Sequence, residues 1–284
     1  MGSTSTDLLK LTRPVNSIMV GFAVVVGVAV TSPLAVFSVS AALGFLTGFF
    51  ISSYSMVVND YYDLEVDKIN TPHRPLASGR ITPRIAAAYA AILLILGIAA
   101  ALPVGRDNLI IAATFAAVAW IYNAWGKKQM LLGNMMVAAS VAIPYIYGGA
   151  AVGNADSLIL WFLALTSFLA ATGREVVKTI SDTEGDEVRG VRSIARVHGG
   201  RAAALVGAML FLGAVVSTAL PVLFRETGML FAGLILIPDA LFIYAAAKVL
   251  QDSSGVNALK IKKLTLIGMV IGMFMFIIGG VYRG

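Results

Sequence analysis

The chain has 284 residues, of which 58% are apolar or aromatic, 13% are charged and none is cysteine, with a net charge of +6 and a mean hydropathy of +0.87. A soluble domain carries about 25% charged residues, so a chain this poor in charge cannot hide its apolar surface in a water-soluble core. Soluble enzymes, disordered chains, disulfide scaffolds and thiolate metal sites are excluded, and a polytopic membrane protein is what remains.

A helix needs about 20 mainly apolar residues to cross a bilayer. The polar start has no signal-peptide layout. Met1-Gly2-Ser3-Thr4-Ser5-Thr6 matches the loose myristoylation pattern, which would add nothing to a chain with many spans. From Pro14 to Asn59 there is no charge, and the stretch reads as two spans broken near Ser32–Pro33. The apolar stretches Ile85–Val104, Asn108–Trp125, Gln129–Val152, Ser157–Gly173, Ala202–Phe224, Thr227–Ala247 and Leu264–Tyr282 bring the total to nine. The sixth is short unless it continues towards Ile180, and the eighth carries Asp239. Nine spans place 18 of the 21 basic residues on the side of the N-terminus; only Arg106, Arg225 and Arg283 fall on the other. The positive-inside rule makes the first side cytoplasmic, with the C-terminus outside. The expected architecture is an all-α, nine-span membrane protein around a central cavity, one domain over residues 1–284.

Two loops on the basic side are long, Asn59–Arg84 and Arg174–Arg201. They follow the second and the sixth span, and this four-span offset suggests a pseudo-repeat. Each opens with acids at four-residue spacing. Asn59, Asp63 and Asp67 would share one helix face, as would Asp182 and Asp186. Nine of the 15 acids lie in these two loops or at their edges. Like charges this close repel unless a cation sits between them. Oxygen ligands favour Mg²⁺ or Ca²⁺ over soft metals, and Mg²⁺ commonly combines one or two carboxylates with substrate phosphate oxygens. Two facing clusters could therefore hold two Mg²⁺ bridged by a diphosphate. Arg74 follows the first cluster, Arg174 and Lys178 precede the second by eight and four residues, and Lys127 ends the fourth span; such bases would bind the remaining phosphate charge. His73 and His198 are lone histidines in basic loops and read as phosphate or solvent contacts. Asp239, an intramembrane carboxylate, is a functional candidate by default. Gly44-xxx-Gly48 and Gly268-xxx-Gly272 read as sites of close helix approach.

Taken together, Asn59-Asp60-xx-Asp63-xxx-Asp67, Arg74-Pro75-Leu76-Ala77-Ser78-Gly79 and Asp182-xxx-Asp186 resemble the UbiA superfamily of intramembrane prenyltransferases, and the likeness extends over nearly the whole chain. Arg13-Pro14 and Tyr122…Lys127 also fit. The segments Asp67–Pro75 and Gly173–Lys178 are similar to the archaeal digeranylgeranylglyceryl phosphate synthase branch. The hydroxybenzoate branch usually has Arg-Asp within the first motif and Arg-Thr after it, where this chain has Leu64-Glu65 and Ile69-Asn70. Before Asp182, where that archaeal branch often carries a further acid, stand Thr179 and Ser181.

The resemblance implies Mg²⁺-dependent transfer of a geranylgeranyl group from its diphosphate to geranylgeranylglyceryl phosphate, forming an ether bond of archaeal membrane lipids. It implies Asn59, Asp63, Asp182 and Asp186 as metal ligands, direct or through water. Arg74, Lys127 and Lys178 would bind diphosphate, while Asp60 and Asp67 would orient ligands or act as bases. Arg13, Lys128 and Arg80 are candidates for the acceptor phosphate, and the sequence does not choose among them. The expected partners are an isoprenyl diphosphate and a lipid acceptor in the cell membrane, not nucleic acid; the oligomeric state stays open. An aromatic acceptor such as 4-hydroxybenzoate is the alternative within the family. A transporter or a non-catalytic lipid-binding scaffold is the alternative outside it.

Overall fold

A computed structural model describes residues 4–188 and 190–282. The Met1-Gly2-Ser3 acylation pattern and the basic residues Arg189 and Arg283 fall outside them, as does the side chain of Glu184. Among the described residues, nine helices are long and apolar enough to cross a membrane: Pro14–Thr31, Val39–Tyr62, Pro83–Ala101, Arg106–Ala124, Met130–Ala151, Leu158–Lys178, Gly200–Leu223, Met229–Gln251 and Gly255–Val281. They are numbered below as the first to the ninth span.

Local chemistry sets the breaks. The first span ends at Thr31, ahead of a short 3₁₀ turn over Pro33–Ala35. The second span starts where the Ser38 hydroxyl accepts from the Ala41 amide at 3.1 Å, satisfying one of the donors that a helix start leaves open. The sixth span runs five residues beyond Gly173, to Lys178. The ninth begins at Gly255 rather than Leu264, because Ser254 caps it through the Asn257 amide. Its first turns therefore carry Lys260, Lys262 and Lys263. Hydropathy counts these lysines as loop, whereas long cationic side chains leave a helix at the interface without ending it. The eighth span is interrupted at Ile235, three residues before Pro238.

Packing repeats across the two halves. The second span packs on the first and third, and the sixth on the fifth and seventh. The first and fifth spans pack against each other, and the ninth closes the ring against the eighth and the first. Backbone approach at the first–fifth seam is close enough to require glycine: a Cβ at Gly27 would lie 2.1 Å from the Tyr145 carbonyl oxygen, and one at Gly148 would lie 2.0 Å from that of Val24. Gly44 and Gly48 face Val24 and Gly21 of the first span, which is the packing role expected of them. One apolar core gathers Ile51, Val57, Leu76, Ile81 and Leu93 in the first half, and another gathers Val176, Val177, Ala204, Phe211 and Val249 in the second.

Asp239 is buried in the eighth span and accepts from the Thr218 hydroxyl at 2.9 Å. It borders a small void beside Tyr145, Thr166 and Ser167, apart from the large cavity described next. A satisfied intramembrane carboxylate that joins the seventh and eighth spans fits a packing role.

Candidate functional site

A cavity of about 680 Å³ opens between the halves at one end of the bundle. Asn59, Asp63 and Asp67 line it from one side, Asp182 and Asp186 from the other. The two acidic clusters, more than a hundred residues apart in sequence, thus share one space. Arg74, Lys127 and Lys178 line it too, as do Arg13 and Lys128. Other wall positions are apolar, with Phe115, Val118, Met136 and Val137.

The first cluster sits at a helix joint. The second span ends at Tyr62, Asp63 leaves helical geometry with φ −91° and ψ 5°, and a short helix follows over Leu64–Asn70. The backbone still bonds from the Asp63 amide to the Asn59 carbonyl at 3.0 Å and from the Asp67 amide to the Asp63 carbonyl at 2.8 Å. The four-residue register therefore passes through the joint, and all three side chains reach the cavity. Asp63 pairs with Lys127 of the turn after the fourth span, and Asp67 pairs with Arg74. The Asn59 amide nitrogen donates to the Asn123 side-chain oxygen at 2.8 Å, which leaves the Asn59 oxygen towards Arg13 at 3.4 Å. Asn123 in turn donates to the Ala119 carbonyl at 2.9 Å.

Asp60 differs from its neighbours. It is 4% exposed and is not among the cavity-lining residues. Its Oδ1 accepts from Arg13 at 2.6 Å and from Arg74 at 3.3 Å. Asp60, expected among the catalytic groups, is found as a buried carboxylate that holds two guanidinium groups at the cavity edge. A side chain one residue after Asn59 on a helix points about 100° away from it, which is why Asp60 faces inward rather than into the cavity. Asp67, the other expected catalytic acid, does line the cavity, but its carboxylate is engaged by Arg74 and by the Thr71 hydroxyl at 2.8 Å.

The second cluster follows the end of the sixth span. Asp182 precedes the short helix Thr183–Val188, and the Asp186 amide bonds back to the Asp182 carbonyl at 2.8 Å. Asp186 is buried at the wall, and Asp182 is 41% exposed. Lys178 lies 3.8 Å from Asp182 and 3.4 Å from Glu175. Arg174 does not line the cavity; its guanidinium pairs with Glu175 at 2.7 Å and donates to the Lys262 carbonyl at 3.3 Å. Arg80, a candidate for the acceptor phosphate, is also elsewhere: it pairs with the buried Asp7 at 2.9 Å and donates to the His73 carbonyl. His73 and His198 are exposed and outside the cavity.

Among the described residues, no three acidic or histidine side chains converge into a ready metal cage. The donor set nevertheless suits a hard cation. It is oxygen-only, it comes from both sides of one cavity, and the five lysines and arginines that line the same cavity can neutralise phosphate. That is the composition of a site where metal and phosphate bind together, with substrate oxygens completing the coordination.

Sequence reasoning did not find Asn123. Its one signal is position, four residues before Lys127 at the end of a span, where a polar amide on an otherwise apolar helix needs a partner.

Comparison with known proteins identifies the family and the fold. The profile of the UbiA prenyltransferase family matches residues 20–280. The digeranylgeranylglyceryl phosphate synthase of Methanocaldococcus jannaschii is 34% identical over 273 residues, covering 96% of this chain and 95% of that protein. That of Archaeoglobus fulgidus is 34% identical over 278 residues, covering 96% and 94%. A solved structure of digeranylgeranylglyceryl phosphate synthase superposes with a TM-score of 0.86 at 34% identity, over 97% of this chain and 98% of the other. A UbiA homologue from Archaeoglobus fulgidus bound to GPP and Mg²⁺ shares the fold, with a TM-score of 0.72 at 20% identity over 95% and 99% of the two chains.

Proposed function

Because this chain belongs to the UbiA prenyltransferase family, we propose that its cavity transfers a geranylgeranyl group from geranylgeranyl diphosphate to geranylgeranylglyceryl phosphate. The observation that carries the reading is the single cavity in which Asn59, Asp63, Asp182 and Asp186 surround a space also lined by Arg13, Arg74, Lys127 and Lys178. Near full-length identity of 34% to synthases of that name supports the choice of substrates.

The reaction forms one C–O bond and breaks another. The allylic C–O bond of the donor breaks with its electron pair going to diphosphate, the acceptor hydroxyl oxygen bonds to the freed carbon, and the hydroxyl proton leaves to a carboxylate or to the diphosphate. Mg²⁺ held by Asn59, Asp63, Asp182 and Asp186 would neutralise charge on the leaving diphosphate. Arg74, Lys127 and Lys178 add fixed positive charge at the same place, and preorganised charge of this kind does not have to reorganise during bond breaking. Asp67 orients Arg74, and Asp60 orients Arg13 and Arg74. The apolar wall of Phe115, Val118, Met136 and Val137 accepts isoprenoid and keeps water from the allylic cation. The chain is a multi-pass membrane protein, and we infer from its basic asymmetry that the N-terminus and the cavity mouth face the cytoplasm. Residues 1–284 act as one unit in this reading, since the site draws on both halves.

Diphosphate release by the purified full-length protein tests it, with geranylgeranyl diphosphate and Mg²⁺ plus geranylgeranylglyceryl phosphate, 4-hydroxybenzoate or no acceptor. Turnover only with the glyceryl phosphate, abolished by chelating Mg²⁺ and restored on readdition, is the expected result. Turnover with the aromatic acid alone would keep the metal and diphosphate assignments and overturn the acceptor. No release under any of these conditions, from folded protein, would overturn the reading.

A further inference from the structure

Four of the five cations lining the cavity are engaged: Arg13 with Asp60, Arg74 with Asp60 and Asp67, Lys127 with Asp63, and Lys178 with Glu175 and Asp182. The fifth, Lys128, has no ion-pair partner among the described residues. Two polar atoms at the same cavity wall are also unsatisfied. Ser193 is 3% exposed and its hydroxyl has no hydrogen-bond partner; the Asn134 amide nitrogen is buried and has none either. A buried donor without a partner is costly and calls for an explanation.

The backbone brings these groups to one sector. An isolated parallel backbone bridge joins Gln129 to Arg192; Lys128 is the residue before the first partner and Ser193 the residue after the second, so the bridge brings their two segments together. Asn134 stands one helical turn after Met130 on the fifth span, and both line the cavity. Met130 itself has φ 30°, one of three non-glycine residues with positive φ among the described residues. Held strain of this kind concentrates at functional sites. None of Lys128, Asn134 and Ser193 belongs to either acidic cluster.

We infer that Lys128, Asn134 and Ser193 form a second anion subsite, which takes the phosphate monoester of the acceptor while the acidic clusters and their bases take the donor's diphosphate. A phosphate monoester supplies acceptor oxygens for one ammonium, one hydroxyl and one amide N–H, and it leaves the Mg²⁺ donors free for the other substrate. Segregating the two phosphate groups would set the glycerol hydroxyl between them, facing the allylic carbon. This inference rests on the proposed reaction and makes Lys128, Asn134 and Ser193 specificity determinants for a phosphorylated acceptor.

The test uses the full-length protein in detergent or nanodiscs. Initial rates are measured against each substrate at saturating levels of the other for wild type, Lys128→Gln, Lys128→Arg, Ser193→Ala and Asn134→Ala. Binding of geranylgeranylglyceryl phosphate and of unphosphorylated geranylgeranylglycerol is titrated separately, without donor or Mg²⁺. Lys128→Gln and Ser193→Ala should raise the acceptor KM by about 10- to 100-fold, the usual loss of a hydrogen bond to a charged group. The donor KM should stay within about twofold, Lys128→Arg should restore most of the affinity, and the preference for the phosphorylated lipid should shrink. A rise in donor KM with the acceptor KM unchanged would place the diphosphate in this sector and overturn the inference. So would unchanged kinetics in all three removal variants. If wild type fails to turn over geranylgeranylglyceryl phosphate, the proposed reaction falls and the titrations decide the subsite alone. Phosphate-dependent lipid binding lost in Lys128→Gln would support it, and equal binding of both lipids would sink it. Thermal unfolding of each variant shows which are folded, and Ser193→Ala, which removes a single oxygen, serves if the lysine variant does not fold.

Discussion

The two acidic clusters occupy equivalent places in the chain and are held in different ways. In the first, every pair made by a cavity-lining cation crosses between elements: Arg13 and Arg74 to Asp60, Arg74 to Asp67, and Lys127 to Asp63, which lies 64 residues away. In the second, Arg174–Glu175, Lys178–Glu175 and Lys178–Asp182 all fall within one helix and the turn that follows it. Cross-element pairs on the buried Asp60 and Asp67 and the partly buried Asp63 tie the end of the second span to Arg13 before the first span, to the loop carrying Arg74 and to the turn after the fourth span. Pairs at i,i+3 and i,i+4 bring little tertiary cohesion, about 0.3–0.5 kcal/mol each when exposed. The comparison separates a preorganised half of the site from a half whose geometry depends more on what binds there.

The largest expected effect treats both halves alike and then separates them. Asp63→Ala and Asp182→Ala should each lower kcat by about 10²–10³, the ordinary loss for one preorganised charge-stabilising contact at a reacting centre. Thermal unfolding should divide them: Asp63→Ala leaves Lys127 without its partner and lowers Tm, whereas Asp182→Ala leaves Tm near wild type. Equal destabilisation in the two would break the contrast between cross-element and local pairing.

Asp60→Asn comes next. It takes the counter-charge from two partly exposed arginines and should cost about 1–3 kcal/mol of stability, measurable by thermal unfolding in detergent. It should also weaken donor binding, seen as a higher KM for geranylgeranyl diphosphate, because Arg13 and Arg74 lose their shared anchor. A fall in kcat alone, with KM and Tm unchanged, would return Asp60 to direct chemistry.

A smaller effect is expected for Asn123→Ala, which frees the Asn59 amide and should cost about 0.5–1.5 kcal/mol. The readout is the Mg²⁺ concentration needed for half-maximal rate, which should rise if Asn123 fixes the Asn59 oxygen towards the cavity. Arg174→Ala should do least. Its pairing with Glu175 lies outside the cavity, so the rate should stay within about threefold and stability within about 1 kcal/mol; a large loss of rate would bring Arg174 back into the diphosphate set.

Much of the architecture was legible in the chain because membrane insertion is governed by local transfer free energy. Twenty apolar residues in a row need no partner to be recognised as a span, and Ser38, Pro33 and Ser254 mark where helices stop and start. The acids at four-residue spacing were legible for the same reason: helix register is a property of a short segment, and it survives the joint at Asp63. Even the shift of the ninth span to Gly255 had its signal in the Ser254 cap, outweighed in the reading by the charge of three lysines.

Tertiary structure decided which of these groups meet. Helix register puts Asp60 on a different face from Asp63, but only packing shows that this face turns inward to two arginines while that of Asp63 borders the cavity. Nothing in the basic loops separates Lys128 from Arg80 or Arg174, yet one borders the cavity and two are occupied outside it. Asn123, Asn134 and Ser193 are ordinary polar residues until packing places the first against Asn59 and the other two at the cavity wall. Transfer energy is summed along the chain and can be read from it. Pairing energy depends on distances across the bundle, and those are set only when the two halves close around the shared cavity.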